Sequence, residues 1–492
     1  MPARTLPGLN FIVVGASVAG LTCAIGLKKS GHSVTVLERE PCLSGAESIP
    51  SGAAGVPPNG CKVLFDWGLE KDVMENAVAG HGFMMYSYDP SSKGKGERDA
   101  MGVNLWDPEL MESARGEFLQ MKHRVLLRLL HDLAIKPPAP SEGTVTIEFD
   151  AEVTSIESDD TGCNVILASG AVFAGHAVIG ADGSTGFVRK YILEEEIEDS
   201  GAECVDADTD LCAYSMFVPR AIAEQDEELK ELYDSPRSNM VSVYFGNQRA
   251  AKVFLNGQER DAYLWLYTTD GQQEGSWTRP GVKPEIEAVE PADPVIKRIY
   301  EKAATPLRFP MKQHHVLDSW VSQSGRIIAI GEAAHPFPPF SLHTISIAIE
   351  DGAFMGKIFS HTRNPERIPE FLYAFEENRK PRCEHILQAE QMQLQYFTLP
   401  DGDQQQERDD KFLANKAAGR NAMSSPDENM QEIVDDLRVI FGYEPTDEAD
   451  EWWMSWGRFQ EDSSQQQNTM GRMDMSQAFK EQWGAATTVR TE

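Results

Sequence analysis

A glycine-rich turn close to the amino terminus carries the clearest chemical signal in this sequence. Gly15, Ser17 and Gly20 lie in the segment GASVAG, directly after an apolar run, and Glu38 ends the next apolar run. Such a turn brings the backbone close to a phosphate, and the free N–H groups of the following helix bind the anion. A carboxylate at the end of the second strand accepts hydrogen bonds from ribose hydroxyls. The spacing predicts a dinucleotide site; the alternative is a βα turn that binds no nucleotide.

Three elements must position these groups. The pattern predicts a βαβ unit whose strand, helix and strand cover residues 11–14, about 18–30 and 33–38. Gly15 allows the tight turn, and Gly20 allows the helix and the strand to pack closely. Ser17 stands where the strict pattern has its middle glycine, and with an ordinary negative φ it still brings its backbone near a phosphate.

The remaining elements follow from the hydrophobic periodicity. A helix is predicted over 121–135, and strands are predicted over 144–149, 163–168 and 177–179, the last of which leads into Asp182-Gly183. From about residue 208, alternating strands rich in aromatic residues predict an antiparallel sheet with one face turned toward a cavity. A buried strand is expected at 326–330 and a helix from near Leu342 to 359. A long charged helix is expected at about 365–396, and an apolar segment that docks on the body at 451–456.

The composition excludes several classes of partner. The 492 residues include 77 acidic and 45 basic side chains, and the net charge of −32 argues against binding to nucleic acid or to anionic membranes. The seven cysteines are scattered without a CxxC pair or a zinc spacing, so we expect free thiols and no metal site. Because no apolar signal region precedes the first strand and no run of 18 apolar residues occurs, we expect a cytoplasmic protein without a membrane anchor.

Three anchors, in order along the chain, resemble the FAD-dependent monooxygenases of the aromatic-hydroxylase type (para-hydroxybenzoate hydroxylase-like, group A), especially the fungal members. The anchors are GASVAG with Glu38, Asp182-Gly183 followed by Val188-Arg189, and GEAAHPFPP with Glu350-Asp351. The resemblance covers roughly residues 8–395. Each anchor alone is a weak signal, and their order and spacing make the combination specific.

The resemblance implies an α/β fold: a Rossmann-like FAD-binding domain with an inserted, mostly antiparallel β-sheet substrate domain and a helical C-terminal region. We expect the FAD-binding domain to occupy residues 1–200 and to return, with its long helix, over 323–398. The substrate domain is expected at 201–322, the helical C-terminal region at 399–460 and a loosely ordered tail at 461–492.

The resemblance also implies which residues hold FAD. Glu38 would bind the adenosine ribose, Arg124 would reach the phosphates or the ribityl region, and Asp182 would bridge the pyrophosphate and the approaching nicotinamide nucleotide. Glu332 would bind the ribityl chain, and His335 would shape the loop that receives the flavin ring. The other contacts come from the glycine-rich turn and from the segments beside the ring: Gly15, Ser17, Gly20, Gly52, Ala53, Pro338 and Ile345.

The chain departs from the family pattern at several positions. Glu332 replaces an expected aspartate, and residues 341–346 (SLHTIS) replace a Gly-Gln-Gly stretch whose amides face the flavin pyrimidine ring. A helix start supplies N–H donors without glycine, so we still expect FAD binding, while flavin movement is in question. Ser341 or Thr344 is predicted to cap this helix. Ser215 falls where several fungal relatives carry an arginine that binds a phenolate.

Aromatic strands and one histidine supply the candidate catalytic side chains. Alternation places Tyr263, Trp265 and Tyr267 on one sheet face, where they line a substrate pocket or form ordinary core. Tyr244 or Tyr267 is the predicted group that orients or deprotonates a phenol. His343 either donates to the flavin ring or acts on the substrate, or it faces solvent at the start of a helix.

The resemblance implies an enzyme that uses NAD(P)H and dioxygen to hydroxylate or epoxidise a small aromatic or aromatic-derived metabolite through a flavin hydroperoxide. One alternative is a flavoprotein of the same fold that performs dehydrogenation or oxidative cyclisation without oxygen insertion. Another is a non-catalytic nucleotide-binding protein, which Ser17 and the missing glycines favour. The sequence leaves open the substrate, the choice between NADH and NADPH, and the oligomeric state.

Overall fold

The computed structural model describes residues 7–43, 52–93, 99–201, 206–270, 275, 280–424 and 437–459. Its strands are β1 (Asn10–Val14), β2 (Ser33–Leu37), β3 (Ala53–Val56), β4 (Ala77–Ala79), β5 (Gly82–Ser87), β6 (Gly102–Leu105), β7 (Leu119–Lys122), β8 (Val145–Glu148), β9 (Val153–Ser158), β10 (Cys163–Leu167), β11 (Val172–Gly175), β12 (Ala177–Gly180), β13 (Ala207–Val218), β14 (Val241–Gly246), β15 (Arg249–Asn256), β16 (Asp261–Thr269), β17 (Leu307–Gln313) and β18 (Ile327–Ala329). Its helices are α1 (Val18–Lys29), α2 (Pro58–Asp66), α3 (Glu70–Glu75), α4 (Pro108–Ala114), α5 (His123–Ile135), α6 (Phe187–Ser200), α7 (Arg220–Ala223), α8 (Glu227–Asp234), α9 (Pro294–Lys302), α10 (Thr344–Phe359), α11 (Ile368–Phe397), α12 (Asp403–Ala417) and α13 (Pro445–Trp452).

A parallel sheet forms the first layer, with the strand order β18-β12-β1-β2-β8. Its central strands are nearly continuous apolar runs because both faces of a parallel sheet are covered. The carboxyl ends of all its strands meet at one edge, where ligands of such folds bind. The βαβ unit predicted from residues 11–38 is therefore confirmed, with β1, α1 and β2 as its members.

Helices α1 and α10 pack against each other through their backbones. Thr22 Oγ1 donates to the Ala348 carbonyl at 3.2 Å, and Ser30 Oγ donates to the Gly356 carbonyl at 2.6 Å. Between these contacts, a Cβ added to Gly26 would lie 2.5 Å from the Gly352 carbonyl oxygen, so no side chain fits there. Both hydrogen bonds join residues 326 positions apart, so the helices run parallel and their amino-terminal ends lie side by side.

A second sheet has the strand order β17-β13-β16-β15-β14-β5-β6. All its pairs are antiparallel except β14 with β5, so the predicted mostly antiparallel sheet is confirmed. Its two outer strands β5 and β6 come from residues 82–105, far before the range 201–322 that was expected to hold the sheet. Two three-stranded sheets complete the fold, with the orders β11-β10-β9 and β3-β7-β4.

The two faces of the seven-stranded sheet pack differently. On one face, Leu264 and Leu266 join a cluster with residues of α8 and α9. On the other face, Tyr263, Trp265 and Tyr267 join a cluster that includes Phe340. The alternation predicted for these three aromatic residues is therefore correct.

The carboxyl-terminal elements lie against the parallel-sheet layer. Trp452 is 9% exposed and meets the ring of Phe371 edge-on at 5.4 Å, while Trp453 stacks on His361 at 4.8 Å. The predicted docking of the apolar segment at 451–456 is confirmed, and the predicted loose tail at 461–492 lies outside the described residues. Within the described ranges, none of the helices is both long and apolar enough to cross a membrane.

Candidate active site

The glycine-rich turn lies at the carboxyl edge of the parallel sheet and requires two of its glycines. Gly15 has a φ of +100°, and a Cβ there would lie 2.6 Å from the Ala181 carbonyl oxygen. A Cβ at Gly20 would lie 2.0 Å from the Gly15 carbonyl oxygen, so any side chain would push α1 away from β1. The turn therefore leaves the first N–H groups of α1 facing an open cradle that suits a phosphate.

Ser17 replaces the middle glycine without strain. Its φ is −77°, and its hydroxyl donates to the Ala181 carbonyl at 2.9 Å while accepting from the Gly20 amide at 3.3 Å. The side chain thus caps α1 and ties the turn to the segment that follows β12. Ser17 departs from the strict glycine motif, but its capping bonds stabilise the local structure.

Two carboxylates flank the turn. Glu38 Oε2 accepts from the Ala16 amide at 2.7 Å, which places this carboxylate beside the cradle. Asp182 Oδ2 accepts from the Val188 amide at the start of α6 at 3.0 Å. Its other oxygen, Oδ1, is buried without a hydrogen-bond partner among the described residues, and burial raises the pKa of this carboxyl. An acceptor left unpaired at this place fits a ligand that brings its own donors, as ribose or ribityl hydroxyls do.

Glu332 follows β18 in the turn Gly331–Ala333. It is half-buried, and burial raises the pKa of its carboxyl to about 7, against the opposing effect of His335. Arg189 from α6 donates to the Ala333 carbonyl at 2.9 Å, so the helix after Asp182 braces the loop that carries Glu332.

A buried ion-pair network lies under this loop. Asp351 Oδ2 accepts from the Gly331 amide at 2.9 Å and is 2.7 Å from His335 Nε2, and Asp351 Oδ1 accepts from Arg379 Nε at 2.9 Å. Arg379 also pairs with Glu350 at 2.8 Å. Cys383 lies near His335 and Asp351, and because the Asp351 carboxylate binds Arg379, this cluster belongs to the ion-pair network. These contacts place His335 in support of the loop, as predicted.

The segment before α10 differs from the sequence prediction. Ser341 Oγ donates to the Pro338 carbonyl at 2.7 Å, and the N-cap position of α10 is His343, which makes no side-chain capping bond. The predicted capping by Ser341 or Thr344 is therefore wrong. Ile345 lies half-buried in the first turn of α10, close to these residues in sequence.

His343 is buried, so the predicted solvent-facing alternative is also wrong. Its amide donates to Glu390 Oε1 at 2.8 Å, and its ring packs on Phe441 at 5.4 Å between centroids. Burial lowers the pKa of this imidazole. The residues that line the pocket described below do not include His343, so its predicted part in catalysis gains no support from its position.

Gly52, Ala53 and Arg124 are brought together by β3 and the start of α5. Ala53 pairs with Lys122 across β3 and β7, and the His123 amide donates to the Gly52 carbonyl at 2.8 Å. Arg124 is exposed in the first turn of α5. The structure therefore places these three predicted FAD contacts beside one another, where β3 leads into the pocket wall at Gly55.

A pocket opens on the aromatic face of the seven-stranded sheet, next to the proline-containing loop. The lining residues come from the seven-stranded sheet, from the small β3-β7-β4 sheet, from α11 and from the segment before α10: Gly55, Phe83, Gln120, Val241, Lys252, Phe254, Trp265, Ser341, Leu342, Gln393 and Phe397. The lining includes Gly55 of β3, the strand that begins at Ala53, and Ser341 and Leu342, which lie between Pro338 and Ile345. The pocket is therefore next to four of the predicted cofactor contacts along the chain.

The two predicted tyrosines have different positions. Tyr267 Oη contacts the carbonyls of Pro339 at 3.1 Å and Phe340 at 3.3 Å, and burial raises its pKa well above the usual value. It therefore anchors the loop to the sheet. Tyr244 lies on the opposite face, stacked on Tyr86 at 5.1 Å, because alternation along β14 turns it away from the pocket. The prediction that Tyr244 contacts the substrate is not supported by this placement.

Lys252 is the charged residue among the pocket-lining residues that the sequence analysis missed. It is 8% exposed in β15, and its Nζ donates to the Phe340 carbonyl at 3.2 Å. The signal was present, because a lysine interrupts the otherwise apolar run AKVFLN and alternation places it on the same face as Phe254.

Known proteins resemble this chain in sequence and in fold. A family model described as FAD binding domain matches residues 9–390. The FAD-dependent monooxygenase OpS4 of Beauveria bassiana (strain ARSEF 2860) is 27% identical over 410 residues, 83% of this chain and 90% of that protein. Hispidin-3-hydroxylase of Neonothopanus nambi is 25% identical over 407 residues, 79% of this chain and 89% of that protein. The crystal structure of CtdE in complex with FAD and substrate 4 superposes with a TM-score of 0.69 at 17% identity, covering 91% of this chain and 98% of that chain.

The chain belongs to this family of FAD-binding proteins. The resemblance drawn from the three sequence anchors is confirmed, as are FAD as the cofactor and the class of FAD-dependent monooxygenases. The glycine cradle and the unpaired Asp182 oxygen fit an FAD molecule at this edge of the sheet. The alternative of a non-catalytic nucleotide-binding protein is wrong.

Proposed function

We propose that this protein uses FAD and NAD(P)H to hydroxylate or epoxidise a small aromatic or aromatic-derived metabolite. One dioxygen, one NAD(P)H and one proton would yield the oxygenated product, NAD(P)⁺ and one water. The observation that carries the proposal is an aromatic pocket lined by Ser341 and Leu342, next to the predicted cofactor contact Pro338, to whose carbonyl Ser341 donates at 2.7 Å. Bound FAD supplies the electron transfer and the activation of dioxygen.

The residues of the cradle would each bind a different part of FAD. Backbone amides between Ser17 and Ala19 would hold the phosphates, since those of Ala16 and Gly20 already donate to Glu38 and Ser17, and Glu38 would hold the adenosine ribose. Asp182 and Glu332 both follow strands of the parallel sheet. Asp182 is oriented by the start of α6, and Glu332 lies in the turn that Asp351 holds through the Gly331 amide. Arg124, Gly52 and Ala53 would approach from the opposite side, and Ile345 from the start of α10.

The pocket would bind the substrate in a position where water is excluded. Trp265 and Phe340 stack with centroids 4.8 Å apart and planes 11° apart, and Phe254 meets Trp265 edge-on at 4.8 Å. Flat walls of this kind favour an aromatic substrate. Their burial keeps water from the reacting carbon, which the insertion of oxygen requires.

A second candidate function is oxidation without oxygen insertion, in a flavoprotein of the same fold. The observation that favours it is the loop before α10. Its carbonyls at Pro339 and Phe340 are bonded to Tyr267, and Lys252 also binds the latter, which restrains a segment expected to accommodate a moving flavin. This function would use the same pocket: two electrons and two protons would leave the substrate, and dioxygen would accept them as hydrogen peroxide.

Labelled dioxygen separates the two functions. The purified protein would first be examined for flavin absorbance, then supplied with NADH or NADPH and candidate aromatics under ¹⁸O₂. Substrate-stimulated oxidation of the nucleotide with one ¹⁸O atom in the product supports the monooxygenase. An oxidised product without ¹⁸O supports the second candidate. A cytoplasmic location stays a prediction, which cell fractionation tests.

A further inference from the structure

Lys252 is a buried cation in the wall of the pocket. It lies in β15, paired across the sheet with Trp265 of β16, and both side chains face the pocket. Its ammonium is surrounded by three aromatic rings, those of Trp265, Tyr267 and Phe397, with centroids 5.6–5.8 Å away.

The protein compensates this charge only in part. An ammonium has three N–H donors, and among the described residues Lys252 Nζ has one hydrogen-bond acceptor, the neutral Phe340 carbonyl. No carboxylate in the described ranges lies within ion-pair distance of it, and Glu390 acts on it only from farther away. Burial lowers the pKa of this lysine, as expected for a charge without a partner. A buried cation of this kind is stabilised by an anion that enters the pocket.

A second donor in the same wall also lacks a partner. Trp265 is 6% exposed, and its indole Nε1–H forms no hydrogen bond within the described chain. Gln120, which lines the pocket from β7, likewise has a buried Oε1 without a partner. The pocket therefore combines flat apolar walls with unused polar groups, two of which, the ammonium and the indole N–H, are donors suited to an anionic oxygen.

We propose that Lys252 determines substrate specificity by binding an anionic oxygen of the substrate, so that the enzyme takes aromatic acids: carboxylic acids, or phenols and enols that ionise. This inference rests on the proposed function, since it takes the pocket as the substrate site. The Trp265 N–H would donate to the same oxygen or to its neighbour. The aromatic body of the substrate would lie against the Trp265 and Phe254 rings.

Isothermal titration calorimetry on the FAD-loaded protein, without NAD(P)H, tests the proposal by binding alone. The probes are matched pairs of similar shape: benzoate with benzamide, 1-naphthoate with 1-naphthamide, and 4-nitrophenol with 4-nitroanisole above the pKa of the phenol. The protein variants are Lys252→Met, which keeps the stem without the charge, Lys252→Arg, which keeps the charge, and Lys312→Met. Lys312 lies on β17 and is paired with Asp208, so it controls for the loss of a lysine outside the pocket.

We expect the wild type and Lys312→Met to bind the anion of at least one pair about tenfold or more tightly than its neutral partner, the effect of one charged hydrogen bond. Lys252→Met should lose this preference and bind the neutral probes unchanged, while Lys252→Arg retains part of it. The carboxylate and phenol pairs show which source of the oxygen is preferred. Equal binding of anion and neutral probe by the wild type, or an anion preference that survives in Lys252→Met, overturns the proposal.

The same samples separate this proposal from the proposed function. Unchanged flavin absorbance and thermal unfolding in Lys252→Met show that the loop held by its hydrogen bond to Phe340 is intact. If anion-selective binding depends on Lys252 while no bound aromatic stimulates NAD(P)H oxidation, the reaction assigned to the protein is wrong and the binding site is correct. If aromatics stimulate turnover without any charge preference, the reaction is correct and the role of Lys252 is wrong.

Discussion

Removal of Arg379 should destabilise the protein more than the loss of a surface ion pair would. Its guanidinium is fully buried between Asp351 and Glu350, at 2.9 and 2.8 Å. Breaking a buried pair by removing one partner costs about 3–5 kcal/mol, because a charge stays behind without compensation. Glu350 keeps Arg382, which binds both of its oxygens at 2.7 Å, so the loss falls mainly on Asp351, whose remaining charged partner is His335. We therefore expect Arg379→Met to cost about 3–5 kcal/mol of unfolding free energy and not twice that amount.

Thermal and urea unfolding of Arg379→Met, with and without FAD, measure this cost. Arg220→Met is the matched control, since Arg220 pairs with Glu224 at the surface and its loss should cost about 0–1 kcal/mol. The double variant Arg379→Met with Asp351→Asn removes the stranded charge and should recover part of the stability. The reasoning is refuted if Arg379→Met unfolds like the control, or if the double variant loses the full sum of the two single losses.

Three further predictions concern the cofactor cradle and the pocket loop. Because the pKa of Glu332 rises from 4.5 to about 7 on folding, the unfolding free energy of the flavin-free protein should fall between these pH values and then level off. Glu332→Gln should remove that fall, and identical urea-unfolding profiles of the two proteins against pH would contradict it. Glu38→Ala should weaken FAD retention by about 1–3 kcal/mol, measured as the flavin-to-protein ratio during dilution, and full occupancy would count against the ribose contact. Tyr267→Phe leaves the Pro339 carbonyl without its donor, while the Phe340 carbonyl keeps Lys252, and it should cost about 1–3 kcal/mol of stability with an unchanged pH profile of kcat. A shifted pH profile would instead make Tyr267 a catalytic acid or base.

The parts of the site that sequence analysis predicted are those built from short segments. Gly15, Ser17, Gly20 and Glu38 lie within one βαβ unit, and the chain's own periodicity positions them. Asp182 and the segment that begins at Gly331 could be predicted for a related reason, since each follows a buried apolar strand of the same sheet.

The parts that it missed depend on contacts between distant segments. Strands β5 and β6 join a sheet whose other strands begin more than a hundred residues later. A local sequence pattern does not predict such a distant pairing. Tyr244 could not be assigned to a face from its aromatic neighbours alone, because the register of β14 against β15 decides it. The position of Lys252 within an apolar strand could be noticed in the sequence. Its contacts with the Phe340 carbonyl and three aromatic rings are known only from the structure.

The parallel packing of α1 and α10 has an electrostatic consequence. The dipole of each helix places roughly half a positive charge at its amino-terminal end. Because the two helices run in the same direction with their starts at the same level, these ends lie together, one at the glycine-rich turn and the other beside the pocket. In a chain with a net charge of −32, backbone amides thereby add partial positive charge to the zone where a diphosphate must bind. The glycine contact at Gly26 and Gly352 sustains this zone, since it lets two like-oriented dipoles approach closely despite their mutual repulsion.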